Sequence, residues 1–140
     1  MKTLQRGRFR AAAFALAGAL GIASCGENLM GPSDLQGVWR LESMQPNGAA
    51  ACEPDDRSRF TVEFKSDGTT GVRADCNVCG GSYSLSGETL TVGPLVCTLI
   101  ACPTERGQEF AALLDGSTSV DGDGDELEIE SSDGKLDFTR

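Results

Sequence analysis

Four cysteines in two closely spaced pairs are the residues of this chain whose types and spacing could do chemistry. The first pair is Cys76-x2-Cys79 and the second is Cys97-x4-Cys102. Four thiolates at such spacings can hold a tetrahedral Zn²⁺ ion, and a Cys-x-x-Cys pair can also serve thiol–disulfide exchange. The same residues can instead form two disulfides, and the compartment in which the chain folds decides among these three possibilities.

The N-terminal segment predicts that compartment. Four basic residues within the first ten precede an apolar run over residues 11–24 that ends in small residues, as in a secretory signal peptide. The tetrad from Ile22 to Cys25 resembles a bacterial lipobox, in which the cysteine thiol receives a diacylglycerol and becomes the new N-terminus. We therefore expect a lipoprotein signal peptide over residues 1–24, lipid attachment at Cys25 and a flexible tether over residues 25–34.

Export of this kind makes disulfides the expected state of the remaining cysteines. We expect two bonds between the clusters, either Cys76 with Cys102 and Cys79 with Cys97, or the swapped pairing, which is nearly as good. Cys52 is then an odd thiol or a competing partner. A zinc site is disfavoured outside the cytosol, because thiols there are usually oxidised before they meet metal. The sequence therefore predicts no metal site and no cofactor.

A redox role for the Cys-x-x-Cys pair is also disfavoured. Such pairs use a helix N-terminus to depress the thiol pKa, whereas Gly80-Gly81 and the Ser-Tyr-Ser that follows predict a turn or bulge and then a strand.

Charge and the lack of histidine exclude several classes of function. Residues 25–140 hold 8 Lys and Arg against 21 Asp and Glu, a formal charge of −13, which repels nucleic acid and anionic lipid headgroups. Membrane contact should therefore come from the lipid. The chain has no histidine, so it lacks the commonest general base and metal ligand. We predict no catalytic residue.

Three polar patterns have ordinary structural interpretations. The acidic run from Asp121 to Asp125 is similar to a calcium loop, but an EF-hand needs glycine at its sixth position and a carboxylate at its twelfth, and Glu126 and Ser132 stand there. A solvated turn is favoured, although weak Ca²⁺ binding stays open. The remaining two sets alternate along strands and have no partner for catalysis; they are Glu126, Glu128 and Glu130, and Ser82, Ser84 and Ser86.

Short alternating segments predict a strand-rich domain that begins near Leu35. One helix is predicted after Pro103, with Thr104 as its N-cap, an apolar stripe of Phe110, Leu113 and Leu114, and Gly116 at its end. Ser86-Gly87 is the predicted loop of a hairpin. Trp39, Tyr83 and the phenylalanines are expected in the core. The eight predicted strands cover residues 37–41, 60–64, 69–74, 82–85, 88–92, 96–100, 127–129 and 136–138.

An ordered set of short motifs over residues 35–138 resembles the META-domain family, which includes HslJ-like bacterial lipoproteins. The set comprises Leu35-x-Gly37-x-Trp39-x-Leu41, Phe60-x-Val62-x-Phe64, Asp67-Gly68, Cys76-Asn77, Gly81-Ser82-Tyr83, Thr98-x-x-Ala101-Cys102 and the C-terminal apolar residues. The chain departs from the family pattern at Asp75, where glycine is usual, and at the additional Cys52, Cys79 and Cys97.

The resemblance implies a mainly β fold over residues 35–140, a small antiparallel lipocalin-like β-barrel of about eight strands with one packed helix. Together with the lipobox-like tetrad and the lack of catalytic residues, it implies a non-catalytic envelope lipoprotein, a stress-related or protein-interaction module that contacts the membrane through its N-terminal lipid. Its partner would be an unidentified envelope protein. The negative charge excludes nucleic acid as a partner. The alternative is a barrel that binds a small molecule or lipid, although a chain this short should fill its interior with side chains. An enzyme or redox protein built on the cysteines is the third hypothesis.

Overall fold

The computed structural model describes residues 30–140, which form nine strands, two α-helices and one short 3₁₀-helix. The predicted signal peptide, residues 1–24, and the lipid site at Cys25 lie outside the described residues. The predicted tether overlaps them only from Met30 to Asp34. The elements are α1 (Pro32–Leu35), β1 (Gly37–Pro46), the 3₁₀-helix (Arg57–Arg59), β2 (Phe60–Phe64), β3 (Thr69–Ala74), β4 (Asn77–Ser86), β5 (Thr89–Val92), β6 (Val96–Cys97), α2 (Arg106–Asp115), β7 (Ser117–Asp123), β8 (Glu126–Ser131) and β9 (Gly134–Thr139).

Eight of the strands form one antiparallel sheet in the order β5-β4-β3-β2-β1-β9-β8-β7, and β6 adds to β4. The sheet curls until its two edge strands meet, where the amide of Val120 on β7 donates to the carbonyl of Glu88 at 2.9 Å. This contact nearly closes a barrel, as the resemblance implied. Closure removes the free edges that an open sheet of this size would expose.

The barrel interior is filled by large side chains that alternate along the strands. Trp39 is fully buried and its ring nitrogen donates to the carbonyl of Leu35 at 2.8 Å. The ring centroids of Phe110 and Phe138 lie 6.1 Å apart, and those of Phe60 and Phe110 lie 5.8 Å apart. Aromatic rings at these separations are in direct packing contact. The interior therefore holds the protein's own side chains.

Helix α2 covers one end of the barrel and buries the stripe that the sequence predicted. Phe110, Leu113 and Leu114 are all buried, and Gly116 is the C-terminal cap. Gly107 lies so close to β3 that an added Cβ would clash with the carbonyl oxygen of Ala74. The helix can therefore approach the barrel only because this position lacks a side chain.

Several sequence-based boundaries were wrong. No turn occurs at Gly80 and Gly81, because β4 runs through both. The hairpin loop is Gly87-Glu88, one residue later than predicted, since Ser86 pairs with Thr89 and Gly87 takes a φ of +61°. Strand β6 covers only two residues of the predicted strand over 96–100.

Two further predictions about polar residues were wrong. Thr104 is not the N-cap of α2, because Glu105 occupies that position. The acidic run predicted as a turn belongs to strand β7 up to Asp123, and only Gly124 and Asp125 form the turn. Strand β7 itself was missed, since Val120 is its one large apolar residue and no alternation marks it.

A disulfide-held apolar strap as candidate functional site

The candidate site is the segment from Pro94 to Cys102, which we call the strap. It crosses the outside of the barrel between β5 and α2, and of its residues only Val96 and Cys97 form strand structure. Two disulfides join it to the first residues of β4 and the turn before them. These bonds are Cys76–Cys102 and Cys79–Cys97, with Cα atoms 5.7 and 4.0 Å apart. Of the two pairings left open by the sequence, this is the one the structure contains.

Asn77 holds the middle of the strap by its side-chain amide. Its oxygen accepts from the amide of Ile100 at 2.7 Å and from the hydroxyl of Thr98 at 2.8 Å, and its nitrogen donates to the carbonyl of Ile100 at 3.0 Å. The nitrogen also lies 3.3 Å from the sulfur of Cys102. Asn77 is buried, so these bonds replace the water that its amide would otherwise require. The Cys76-Asn77 and Thr98-x-x-Ala101-Cys102 motifs therefore serve one local structure.

The turn before Asn77 explains a departure from the family pattern. Asp75 has a φ of +61°, in the left-handed region that favours glycine and that Asp tolerates better than most residues. Its buried carboxylate forms an ion pair with Arg59 and accepts from the hydroxyl of Thr104 at 3.5 Å. These two partners hold the strained turn next to the start of α2.

The strap and the adjoining start of β4 expose apolar side chains. Leu99 is 96% exposed, Val96 is 78% exposed, and Ile100 and Val78 are each 58% exposed. Val96 pairs with Gly80 on β4, and the amide of Thr98 donates to the carbonyl of Val78 at 3.0 Å. The four side chains therefore belong to one surface. Contiguous exposed apolar surface of this kind marks interaction sites in soluble domains.

A groove lies between the strap and α2. Its volume is about 340 Å³, and small side chains including Ala74, Ala101 and Ala111 line it together with Leu99 and Ile100. This volume lies at the lower end of ligand pockets, and the lining is mostly apolar. The groove can receive an apolar side chain from a bound molecule.

Cys52 lies away from the strap, on the other side of α2. Its backbone pairs with Met44, the Nη1 atom of Arg106 lies 2.6 Å from its sulfur, and it forms no disulfide within residues 30–140. No group of three or more cysteines and carboxylates in the described part of the chain is arranged to hold a metal ion.

The acidic residues of β7, β8 and β9 form a separate surface. A groove of about 490 Å³ is lined there by Glu42, Glu53, Asp121, Asp123, Glu126 and Glu128, among others. Lys135 lies beside it, with its Nζ atom 2.8 Å from Glu128 and 3.5 Å from Asp137, and the hydrogen bond to Glu128 raises the pKa of this lysine. Ser82, Ser84 and Ser86 are exposed on the outside of β4.

Three other titratable groups have shifted pKa values. Hydrogen bonds from Ser58 lower the pKa of Asp56, and those from Thr69 lower the pKa of Asp67. Burial raises the pKa of Tyr83, whose hydroxyl donates to the carbonyl of Lys65 at 2.6 Å. All three groups stabilise turns or packing at positions outside the strap.

The nearly closed antiparallel barrel, its filled interior and its helix define the class of small lipocalin-like β domains. The META-domain profile matches residues 33–140, so the chain belongs to the META-domain family. A comparison with curated protein sequences found no match. This fold and family fit a non-catalytic or binding module.

Solved structures share the fold at low identity. A protein from Burkholderia xenovorans solved by NMR is 20% identical, with a TM-score of 0.60, and the match covers 99% of this chain and 98% of that one. A lipocalin-like protein from Bacteroides uniformis is 17% identical, with a TM-score of 0.54 and coverage of 76% and 98%. A DUF4847 family protein from Bacteroides vulgatus is 16% identical, with a TM-score of 0.55 and coverage of 75% and 92%.

The two disulfides are typical of proteins outside the cytosol. No helix within residues 30–140 is both long and apolar enough to cross a membrane.

Sequence reasoning found the cysteines of the site but missed its other two features. It predicted a strand where the strap leaves its apolar residues in solvent, and it assigned Asn77 no role. The signal for Asn77 was its place directly after Cys76, because a side-chain amide beside a disulfide can bind the backbone of the segment that the disulfide joins.

Proposed function

We propose that this protein is a lipid-anchored, non-catalytic binding module of the bacterial envelope, which holds a protein partner through the strap. The observation that carries the proposal is Leu99, an almost fully exposed leucine on a segment fixed by two disulfides and by Asn77. A segment ordered before binding loses little conformational entropy when a partner docks. We infer the lipid anchor from the lipobox-like tetrad that ends at Cys25. A stress-related role for the module is inferred from the family resemblance.

The alternative of a ligand inside the barrel has less support. Trp39, Phe110 and Phe138 occupy the space that such a ligand would need. Apolar surface is available outside the barrel, on the strap and in the groove beside α2. A non-catalytic role is supported by the chain's lack of histidine, which leaves the serines of β4 without the usual activating base.

Site-specific photo-crosslinking in the cell envelope tests the binding role. A photoreactive amino acid at position 99 should form one reproducible crosslinked species, because this side chain would lie in the interface. The matched control carries the same group at Glu130, an exposed position on β8. Equal crosslinking from both positions, or none from position 99, would contradict the proposal.

Fractionation and mass spectrometry test the anchor. The wild-type protein should partition with membranes and carry acyl chains on Cys25, whereas Cys25→Ser should appear in the aqueous fraction. An unmodified Cys25 in the wild-type protein would refute lipid attachment while leaving the role of the strap open to its own test.

A further inference from the structure

A basic surface adjoins the strap, on a domain that is otherwise strongly acidic. Residues 30–140 contain eight Lys and Arg, and five of them have partners within those residues. Arg57, Arg59 and Lys135 form ion pairs, Arg106 contacts Cys52, and Arg140 lies over the ring of Trp39. The three that form no ion pair or side-chain hydrogen bond within residues 30–140 are Arg40, Lys65 and Arg73.

Two of these three residues, Arg40 and Arg73, lie in one row with Val78, whose carbonyl accepts from the amide of Thr98 on the strap. Arg40 pairs with Thr61, Thr61 pairs with Arg73, and Arg73 pairs with Val78, so the four residues cross β1 to β4 on the outer face. At the usual strand spacing, the two arginines stand about 10 Å apart. The charge of Arg73 contributes slightly to the lowered pKa of Asp56, but that carboxylate accepts its hydrogen bonds from Ser58.

The next row on the same face contains two adjacent glycines between the side chains of Glu63 and Val96. Gly71 pairs with Gly80, and Gly80 pairs with Val96 of the strap. A Cβ added to either glycine would meet nothing within 4 Å. The one acidic residue in this row is Glu63, opposite Gly71. The surface therefore combines exposed apolar side chains, two unpaired arginines and a flat strip of backbone that an extended chain can approach closely.

The position of this surface argues against the anchoring membrane as its occupant. Val78 and Ile100 lie beside the β3–β4 turn, at the barrel end that α2 covers. The described chain enters at the other end, where Met30 lies against Gly122 near the β7–β8 turn. Cys25 lies five residues before Met30, a reach of at most about 18 Å. An anchor at Cys25 therefore holds the opposite end towards the membrane and leaves the strap facing away. Arg40, which pairs with Thr139 next to Glu126, lies between the two ends.

A second copy of the chain does not complement the surface either. The exposed large apolar residues of the described chain lie on the strap and on the outer face of β1 and β4. The acidic surface of β7 to β9 contributes none, so it offers charge without apolar contacts. Two copies joined strap to strap would bring their Arg73 side chains to the same interface, where like charges oppose association.

We propose that the surface binds an extended, acidic protein segment with apolar side chains, whose carboxylates pair with Arg40 and Arg73 and whose apolar residues pack on Leu99 and Ile100. This inference rests on the proposed binding function and adds the chemistry of the partner. The two arginines supply the charge complementarity, and the strip of Gly71 and Gly80 admits the partner's backbone.

A pair of synthetic peptides tests this chemistry. One 12-residue peptide alternates leucine with glutamate, and the other alternates leucine with lysine. Binding is measured by fluorescence anisotropy against the full-length exported protein in phosphatidylcholine nanodiscs. We expect the glutamate peptide to bind at least about tenfold more tightly than the lysine peptide, and its affinity to fall as salt is raised.

Charge-reversed variants make the test specific to the proposed residues. Arg40→Glu with Arg73→Glu should weaken the glutamate peptide about tenfold or more and strengthen the lysine peptide. Leu99→Ser with Ile100→Ser should weaken both peptides. The control is Lys65→Glu, which reverses one charge where the arginine pair reverses two, at a lysine without an ion pair just beyond the end of β2. This variant should leave affinity within about twofold. Unchanged thermal unfolding of each variant shows that the fold is intact.

Four outcomes would overturn the inference. The first two are equal affinity for both peptides and no binding of the glutamate peptide. The third is tight binding of the exported Cys25→Ser protein to phosphatidylglycerol vesicles, if that binding is lost in the arginine variants. The fourth is self-association of the protein that Leu99→Ser abolishes. The last two would assign the surface to lipid or to a second copy. If position 99 still crosslinks to one envelope protein while the peptides fail, the proposed function stands and the partner chemistry falls.

Discussion

Replacing Asn77 by alanine should destabilise the domain, because this one side chain binds the strap three times. The change removes hydrogen bonds of 2.7, 2.8 and 3.0 Å that join Asn77 to Ile100 and Thr98. Each bond contributes about 1 kcal/mol net, but the freed groups of the strap can reach water. We therefore expect a loss of about 2–3 kcal/mol in the free energy of unfolding, and a fall in Tm on the order of 10 °C.

The assay is urea unfolding of the oxidised protein combined with hydrogen exchange at single amides. The amide of Ile100 should lose protection in Asn77→Ala, because the side-chain oxygen of Asn77 is its acceptor. Thr98→Val removes one of the three bonds and also the bond that the Thr98 hydroxyl accepts from the amide of Val78 at 3.1 Å, so it should cost about 2 kcal/mol. Ser82→Ala, at an exposed position on the same strand, is the control and should stay within about 0.5 kcal/mol of the wild type.

Unfolding of Asn77→Ala within about 0.5 kcal/mol of the wild type, with both disulfides intact, would contradict a stabilising role for this side chain. Unchanged protection of the Ile100 amide would refute it independently. Either result would mean that the disulfides alone hold the strap and that the buried amide adds nothing.

Two further substitutions test other contacts. Gly107→Ala should destabilise the domain by about 1–3 kcal/mol in urea unfolding, because its new Cβ would meet the backbone of Ala74. The control Gly80→Ala has open space around its new Cβ and should be neutral or stabilising. Equal effects of the two substitutions would show that α2 shifts freely. Asp67→Asn should be less stable than the wild type near neutral pH, because bonds from Thr69 lower the pKa of Asp67 in the folded state. That contribution is present above the unfolded pKa of about 3.9 and is lost as pH falls through the folded pKa, so thermal unfolding should show the two proteins converging in acid; a constant gap would count against it.

The parts of the fold that the sequence predicted correctly are those with clean alternation of apolar and polar residues. Strands β2 and β3 have the predicted bounds, residues 60–64 and 69–74, and the stripe of α2 is buried as expected. Strand β7 was missed because its pairing with β8, and not its own composition, makes it a strand. Tertiary pairing is invisible to a local pattern.

The errors at the site have a different physical cause. Gly80 and Gly81 usually signal a turn, yet here β3 and β6 flank β4 and hold these residues extended. The apolar residues after Cys97 predicted a strand because hydrophobicity normally indicates burial, and on this strap they remain in solvent. The cysteine spacing showed that the segments could be joined, but the choice of pairing required the register of β4 with β6.

The nesting of one disulfide inside the other makes the order of oxidation important. Cys79 and its partner Cys97 have no cysteine between them, whereas the partner of Cys76 is Cys102, the last cysteine of the chain. Cys52 precedes all four disulfide-bonded cysteines. If the chain emerges from a secretion channel with its N-terminus first, the earliest available partner of Cys76 is Cys52. A Cys52–Cys76 bond that formed at this stage would have to be exchanged, through a mixed disulfide, before Cys76 could pair with Cys102.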